Sequence, residues 1–303
     1  MSHSKEIDMD LKLVQQLISS QFPKWAELPL RPVDSVGTDN VIFRLGEDMA
    51  VRLPHVDWAI GQVDKEQRWL PKLAPLIPIA IPVPLAKGIP TEDYPWFWSV
   101  YRWLEGENAT VGHLNSYNQA ATALAQFIHA MQTIDPAGGP VPGSHNSGRG
   151  EPLAKRDVEV RHAIASLNTL INTDVAEAVW DLALQARVWQ SEGVWVHGDL
   201  HPGNLLIEQG ELSAVIDFGT LGVGDPACDL MVAWTFLTPE SRKHFRALLT
   251  VDEATWSRGR GWALSFGLIA YTYYIDKNPG LAAISLRTID EVLSEHVKRC
   301  ESN

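Results

Sequence analysis

Cysteines, clusters of basic residues and long apolar runs are all scarce in this chain of 303 residues. The two cysteines, Cys228 and Cys300, have no paired spacing, so the sequence indicates neither a disulfide framework nor a cysteine-based zinc site. Acidic residues outnumber basic ones by 37 to 25, the net charge is −12, and no cluster of Lys and Arg is present. A nucleic-acid partner is therefore not expected, because such binders carry a basic patch.

The most apolar stretch, residues 73–86, is interrupted by four prolines. A membrane-spanning helix needs about 20 nearly unbroken apolar residues, so no membrane partner is expected. The first residues also lack the apolar core of a signal peptide, which favours a cytoplasmic location. The acidic balance would suit a cationic substrate, although acidity also serves solubility alone. Hydrophobic residues at 45% and charged residues at 20% are typical of a soluble globular protein.

The pattern of apolar residues changes near residue 104. Before it, apolar runs alternate with turn residues over 33–53, and residues 96–104 are aromatic and β-branched, which predicts strands. After it, most of the chain has helical spacing. We therefore expect an α+β protein with two lobes, an N-terminal antiparallel sheet lobe over residues 1–104 and a helical C-terminal lobe over residues 105–303.

The densest polar cluster reads His-Gly-Asp-Leu-His-Pro-Gly-Asn over residues 197–204. Asp199 and Asn204 lie five positions apart in a segment that glycine and proline keep out of a helix. A short apolar run further along the chain ends in an acid, Asp217, which Phe218 and Gly219 follow. Phosphoryl transfer uses this set of groups, because one carboxylate accepts a hydroxyl proton and further oxygen-bearing side chains hold Mg²⁺.

These two segments resemble the catalytic loop and the metal-binding strand of the aminoglycoside phosphotransferase family, whose members are related to protein kinases. In that family the segments read His-Gly-Asp-x-x-x-x-Asn and Ile-Asp-Phe/Trp-Gly/Glu. The resemblance implies that Asp199 is the catalytic base and that Asn204 and Asp217 bind Mg²⁺. It also implies that His197 braces the catalytic loop and that Asp229, in a later family signature, anchors the loop through its backbone. The implied fold is a bilobal protein-kinase-like one, with ATP or GTP as phosphate donor.

The resemblance extends into the first lobe. Gly37 falls where the family has its phosphate-covering loop between two strands. Family members place a Lys on the third strand and pair it with a Glu of the next helix, and here those positions offer Arg52 and Glu66. Arginine keeps the charge and can bind phosphate through two N–H groups, although its geometry differs from that of lysine. By the same resemblance, the segment from Tyr101 to Trp103 would meet the purine edge through its backbone.

Simpler interpretations stay open for several of these residues. Arg52 could be a solvated strand residue, and Glu66 could belong to a surface ion pair. His197 and His201, four positions apart, could instead belong to a zinc site, and the protein would then be a zinc hydrolase. That zinc motif needs both histidines on one helical face, and the intervening and following glycines and proline break such a helix.

The leading function is therefore a small-molecule kinase that phosphorylates a hydroxyl group. Its acceptor would be an aminoglycoside- or macrolide-like antibiotic, with a cationic one favoured by the acidic charge, or a metabolite alcohol. The alternative is a catalytically silent, kinase-like nucleotide-binding module. Only the arginine at position 52 favours that alternative, because Asp199, Asn204 and Asp217 are all present. A monomer and a homodimer are equally compatible with the sequence.

Overall fold

The computed structural model describes residues 9–33, 39–110 and 112–301. Gly37, the predicted residue of the phosphate-covering loop, lies outside these described residues. Within them, no helix combines the length and the apolar character that crossing a bilayer would require. The described residues cluster into two compact units.

Unit 1 consists of the described residues of Met1–Pro75 and Ala80–Glu105. Its helices and strands, in chain order, are α1 (Leu11–Gln21), β1 (Leu30–Val33), β2 (Asn40–Leu45), β3 (Met49–Pro54), α2 (Gln62–Leu73), β4 (Pro84–Gly88) and β5 (Trp98–Arg102). The strands form one sheet in the order β1-β2-β3-β5-β4, and all neighbouring pairs are antiparallel. The antiparallel sheet expected for the N-terminal part of the chain is confirmed.

One face of this sheet is apolar and is covered by α1. The helix starts at Asp10, whose Oδ1 accepts a hydrogen bond from the Leu13 N–H at 2.8 Å. Its buried stripe packs in one core with the buried strand residues Val51 and Leu53. Because side chains alternate along a strand, this orientation places Arg52, between them, on the opposite face of the sheet.

Unit 2 consists of the described residues of Leu76–Ile79 and Gly106–Asn303. Its strands are β6 (Glu107–Asn108), β7 (Val194–Val196), β8 (Leu205–Glu208), β9 (Glu211–Val215) and β10 (Gly222–Gly224). Its helices are α3 (Tyr117–Thr133), α4 (Asp157–Ser166), α5 (Thr173–Gln185), α6 (Val232–Thr235), α7 (Pro239–Leu248), α8 (Glu253–Tyr274) and α9 (Pro279–Glu301). The strands pair in two small antiparallel sheets, β6-β8-β9 and β10-β7. The largely helical C-terminal part of the expected α+β class is therefore confirmed.

The core of unit 2 is formed around α8. This helix is buried without interruption from Arg258 to Leu268, and it packs along α9. Trp262 lies fully buried in it, and Phe266 is nearly so. A helix that is buried on all sides gives the strands and loops next to it a rigid support.

Candidate active site

The loop between β7 and β8 folds Asn204 back onto Asp199. Pro202 opens a single 3₁₀ turn, and His201 caps this turn because its Nδ1 accepts a hydrogen bond from the Gly203 N–H at 3.1 Å. The Nδ2 of Asn204 then donates to the backbone oxygen of Asp199 at 2.9 Å and to its Oδ2 at 3.2 Å. The spacing of five positions thus corresponds to one short turn that brings a carboxylate and a carboxamide into contact.

A buried carboxylate holds the start of this loop. Asp229, which is 1% exposed, accepts the N–H of Gly198 at 2.6 Å and the N–H of His197 at 2.8 Å. Burial raises the pKa of Asp229 to about 6 although both N–H groups favour the charged form. Asp229 thus contacts the start of the loop through two backbone N–H groups, which is the geometry that an anchoring role would need.

His197 ties the loop to the strand that precedes Asp217. Its Nε2 lies 3.0 Å from the carbonyl oxygen of Ile216, and its Nδ1 accepts the Asp199 N–H at 3.2 Å. With Nδ1 as acceptor, the proton resides on Nε2 and is donated to that carbonyl. Burial lowers the pKa of His197, which favours this neutral form. A neutral histidine with both nitrogens engaged can brace the loop.

The two predicted metal ligands lie on adjoining backbone segments. The N–H of Ile216 donates to the backbone oxygen of Asn204 at 2.9 Å, so Asp217 directly follows a residue that pairs with Asn204. Asp217 adopts a left-handed conformation (φ 61°), and its Oδ1 accepts the Gly219 N–H at 3.3 Å. Positive φ is uncommon outside glycine, and aspartate tolerates it better than most residues.

The donor set fits magnesium. Asn204 uses its Nδ2 within the loop, which leaves its Oδ1 as a ligand, and Asp217 supplies a carboxylate. Both are hard oxygen donors, and Mg²⁺ usually takes one or two such protein ligands and fills its other positions with water and phosphate oxygens. In the part of the chain that the structure describes, no group of three or more His, Cys, Asp and Glu side chains could hold a metal ion.

Two residues at the site were not assigned a role from the sequence. Arg149 donates from Nη2 to Asp199 Oδ1 at 3.1 Å, and His201 Nε2 lies 3.4 Å from Asp199 Oδ2. Burial alone would raise the pKa of Asp199, but His201, and after it Arg149, outweigh burial and hold that pKa below its usual range. Asp199 is therefore an ionised carboxylate that can accept a proton.

In unit 1, the sheet face opposite α1 brings Arg52 and Glu66 together. The Nη1 of Arg52 lies 2.6 and 2.8 Å from the two carboxylate oxygens of Glu66, which is 1% exposed. The side-chain oxygen of Asn40 faces this guanidinium and accepts hydrogen bonds from Arg52 Nη2 at 2.9 Å and from Arg52 Nε at 3.1 Å. Tyr101 donates its hydroxyl proton to Glu66 Oε2, and burial, followed by the charge of Glu66, raises the pKa of Tyr101. Glu66 is buried and the Arg52 side chain is 15% exposed, so the pair differs from a solvated surface ion pair.

Two backbone N–H groups at the end of β5 and just after it already have hydrogen-bond acceptors. The N–H of Trp103 donates to the Asp48 oxygen at 2.7 Å, and the N–H of Arg102 donates to the Val83 oxygen at 2.9 Å. The Arg44 guanidinium lies over the Trp103 ring at 4.6 Å. The two amides are thus engaged within unit 1, so Arg102 and Trp103 could offer an N–H to a purine edge only if these bonds were broken.

Comparisons with known proteins identify the family and the fold of this chain. The model of the phosphotransferase enzyme family matches residues 30–262. Similar solved structures include the GDP and kanamycin complex of APH(2")-IIia, with 17% identity, TM-score 0.67, and coverage of 96% of this chain and 99% of that one. They also include the ADP-bound aminoglycoside phosphotransferase APH(2'')-Ib, with 16% identity, TM-score 0.59, and coverage of 94% and 99%.

A macrolide phosphotransferase also has this fold. Macrolide 2'-phosphotransferase MphH from Brachybacterium faecium, solved as the apoenzyme, is 21% identical with TM-score 0.59, and the match covers 93% of this chain and 98% of that one. The comparison with curated proteins gave no sequence match. At such low identities the structural likeness establishes the fold, an α+β architecture shared with aminoglycoside and macrolide phosphotransferases.

Proposed function

Because the chain belongs to the phosphotransferase enzyme family, we propose that it transfers the γ-phosphate of ATP or GTP to a hydroxyl group of a small molecule. The observation that carries this proposal is the arrangement of Asp199, Asn204 and Asp217. The ionised carboxylate of Asp199 contacts the carboxamide of Asn204. The backbone oxygen of Asn204 accepts a hydrogen bond from the N–H of the residue that precedes Asp217. Phosphoryl transfer requires these groups and few others.

Each group has a defined task in the proposed reaction. Asp199 orients the acceptor hydroxyl and accepts its proton, while Asp229 and His197 keep the loop in place. Asn204 and Asp217 would hold Mg²⁺, which neutralises charge on the phosphate oxygens when it is bound. In unit 1, Arg52 is proposed to bind nucleotide phosphates with Glu66 orienting its guanidinium, and the segment from Tyr101 to Trp103 to meet the base. The transition state of such reactions is loose, so positioning and charge supply most of the catalysis.

The acceptor class follows from charge and from the relatives. Structures with this fold include an enzyme complexed with kanamycin and an enzyme named for macrolides. The chain carries a net charge of −12, and a cationic acceptor would be attracted to such a protein. We therefore propose an amine-bearing hydroxyl compound, an aminoglycoside- or macrolide-like antibiotic, with a metabolite alcohol as the second class to test.

The experiment is a screen of purified protein with Mg²⁺ and either ATP or GTP against aminoglycosides, macrolides and metabolite alcohols. The expected result is a mass gain of one phosphoryl group on one class of acceptor, which is lost when Mg²⁺ is omitted. The matched control is the same screen with the Asp199→Asn variant. Tight nucleotide binding without turnover on any acceptor would instead support a catalytically silent nucleotide-binding module.

The role of Arg52 can be separated from its structural contacts. Arg52→Ala alone leaves the buried Glu66 carboxylate unpaired, which typically costs about 3–5 kcal/mol of stability. The double variant Arg52→Met, Glu66→Gln removes both charges together, and we expect it to fold but to raise the KM for the nucleotide about 10–100-fold, because charge-assisted bonds to phosphate are lost. Arg52→Lys should keep part of the affinity, since the charge remains but the two-pronged geometry does not. A double variant with the wild-type KM for nucleotide would make Arg52 a purely structural residue.

A further inference from the structure

The loop that carries Arg149 is built by a buried asparagine. Asn146 is fully buried, and its Oδ1 accepts the Gly143 N–H at 3.0 Å. Its Nδ2 donates to the Arg149 oxygen at 3.0 Å, and the Arg149 N–H donates to the Asn146 oxygen at 3.1 Å. Both backbone polar groups of Arg149 are thus engaged by one residue, so the side chain starts from a fixed position.

The side chain of Arg149 lies against the glycine of the catalytic loop. A Cβ atom added to Gly198 would lie 2.9 Å from the Arg149 Cβ and 3.0 Å from its Cγ, and Gly198 also has a φ of 87°. The guanidinium lies over the buried Trp262 ring at 5.8 Å from its centroid. Because residue 198 has no side chain, the Arg149 side chain can pass next to it and reach Asp199. The Trp262 ring of α8 stabilises the Arg149 guanidinium by a cation–π contact.

The two oxygens of the Asp199 carboxylate are not equally occupied. Oδ2 faces Asn204 Nδ2 at 3.2 Å and His201 Nε2 at 3.4 Å. The proton of His201 resides on Nε2, because Nδ1 accepts from the loop backbone, so both groups donate toward Oδ2. From the residues that the structure describes, Oδ1 receives one bond, from Arg149 Nη2 at 3.1 Å. Each carboxylate oxygen has about two acceptor positions, so Oδ1 keeps one for a further donor.

We propose that Arg149 is a positioning residue that holds the Asp199 carboxylate with Oδ1 toward the acceptor hydroxyl, and that Oδ1 takes the proton. This proposal rests on the proposed function. In the step, the hydroxyl proton passes to Oδ1 and the hydroxyl oxygen bonds to the γ-phosphorus. The bond between that phosphorus and the bridging oxygen breaks, and the nucleoside diphosphate leaves with the electron pair. The Asp199 side chain is 24% exposed, which leaves it accessible to an acceptor.

The test compares kcat and KM in Arg149→Met and Arg149→Lys. Methionine matches the stem of arginine but cannot donate to Asp199, so the carboxylate loses one of its fixed bonds. Misplacing a catalytic group by about 1 Å costs roughly 10²-fold in rate, so we expect a kcat loss of that size, with the KM for nucleotide changed by less than about twofold. Arg149→Lys retains a donor and a charge and should recover part of the lost kcat.

Arg156 offers a matched control. Its guanidinium lies over the same Trp262 ring at 5.1 Å and donates to Ser265 Oγ at 2.7 Å. Among the described residues, Arg156 makes no hydrogen bond or ion pair with Asp199. Arg156→Met therefore removes a largely buried charge and a contact with the same ring without removing a hydrogen bond to Asp199. Any effect that comes only from losing a positive charge near Asp199 appears in this variant as well. Its thermal stability should fall while its kcat per folded molecule stays within about twofold of wild type.

The outcomes separate the two proposals. If the wild-type protein phosphorylates no acceptor, the proposed function fails, and the role of Arg149 fails with it. If the wild type is active and folded Arg149→Met keeps its kcat, only the role of Arg149 is overturned. Equal kcat losses in Arg149→Met and Arg156→Met would assign the effect to packing around Trp262 and would also overturn it. Should Arg149→Met not fold, Arg149→Lys decides: a kcat between those of the wild type and Asp199→Asn, with the KM for nucleotide unchanged, supports the proposal, and a wild-type kcat overturns it.

Discussion

Replacing Asp199 by asparagine is expected to lower kcat by about 10²–10⁴-fold while the affinity for nucleotide stays within about twofold. The carboxylate is ionised and accepts hydrogen bonds from Arg149 and Asn204, so it is ready to take a proton from the acceptor hydroxyl. Asparagine keeps the shape of the side chain but has almost no basicity. Some turnover should remain, because positioning and charge stabilisation do not depend on the base. Nucleotide affinity should be nearly unaffected, since the proposed metal ligands are other residues.

The measurement is kcat with the identified acceptor, together with a binding titration using a non-hydrolysable nucleotide. The NH2 group of the new asparagine must face a hydrogen-bond donor, either Arg149 or Asn204, and cannot accept from it. A small loss of thermal stability is therefore also expected. Asp181→Asn is a suitable control, because Asp181 also pairs with an arginine, Arg161 at 2.6 Å, but lies on α5. Normal turnover in the Asp199 variant would show that the base lies elsewhere.

The sequence predicted the parts of the fold that local patterns encode. The strands β2 and β3 are mainly apolar runs between turn residues, and the order of strand-rich and helix-rich parts indicated the α+β class. Residues 158–189 have a helical pattern of apolar side chains, and the structure divides this segment into two helices, α4 and α5. Asn172 begins the second of them, since its side chain accepts the Val175 N–H at 3.1 Å. That capping signal was present in the sequence but was hidden by the helical spacing on both sides.

The edge strands of unit 1 could not be predicted in the same way. β4 begins at Pro84, in the stretch that prolines interrupt, and β1 contains Pro32. Both strands lie at the edges of the sheet, where a residue without an N–H group is tolerated. Proline argues against a strand when it is considered locally. A proline-containing strand becomes acceptable only because of its place at the edge of the sheet, which local sequence does not show.

In the candidate site, too, the contacts within one short segment could be predicted from the sequence, and the contacts between distant segments could not. Asp199 and Asn204 were found together because a single turn joins them, and that turn is encoded within eight residues of sequence. Arg149 was not found, because fifty positions separate it from Asp199 and its glycine-rich loop has no chemical pattern of its own. Tyr101 was assigned through its backbone, whereas its side chain contacts Glu66. Contacts set by packing between distant segments leave no spacing signal in one sequence.

Replacing Asp217 by alanine is expected to remove magnesium-dependent turnover. The side chain is the one carboxylate of the proposed metal pair, and a metal ion supplies several kcal/mol of charge stabilisation in the transition state. Each 1.4 kcal/mol is about tenfold in rate, so we expect a loss of at least about 10³-fold. The loss should not be rescued by raising the Mg²⁺ concentration, because Asn204 alone offers a single neutral oxygen.

The backbone at Asp217 makes the choice of variants important. Its φ of 61° is tolerated by aspartate, asparagine and glycine but costs alanine roughly 1–2 kcal/mol. Asp217→Gly removes the carboxylate without that strain, and Asp217→Asn keeps the hydrogen bond to the Gly219 N–H while removing the charge. If the metal role is right, all three variants lose turnover although only the alanine variant carries the backbone strain. Full activity in the glycine variant, measured over a Mg²⁺ titration, would remove Asp217 from the mechanism.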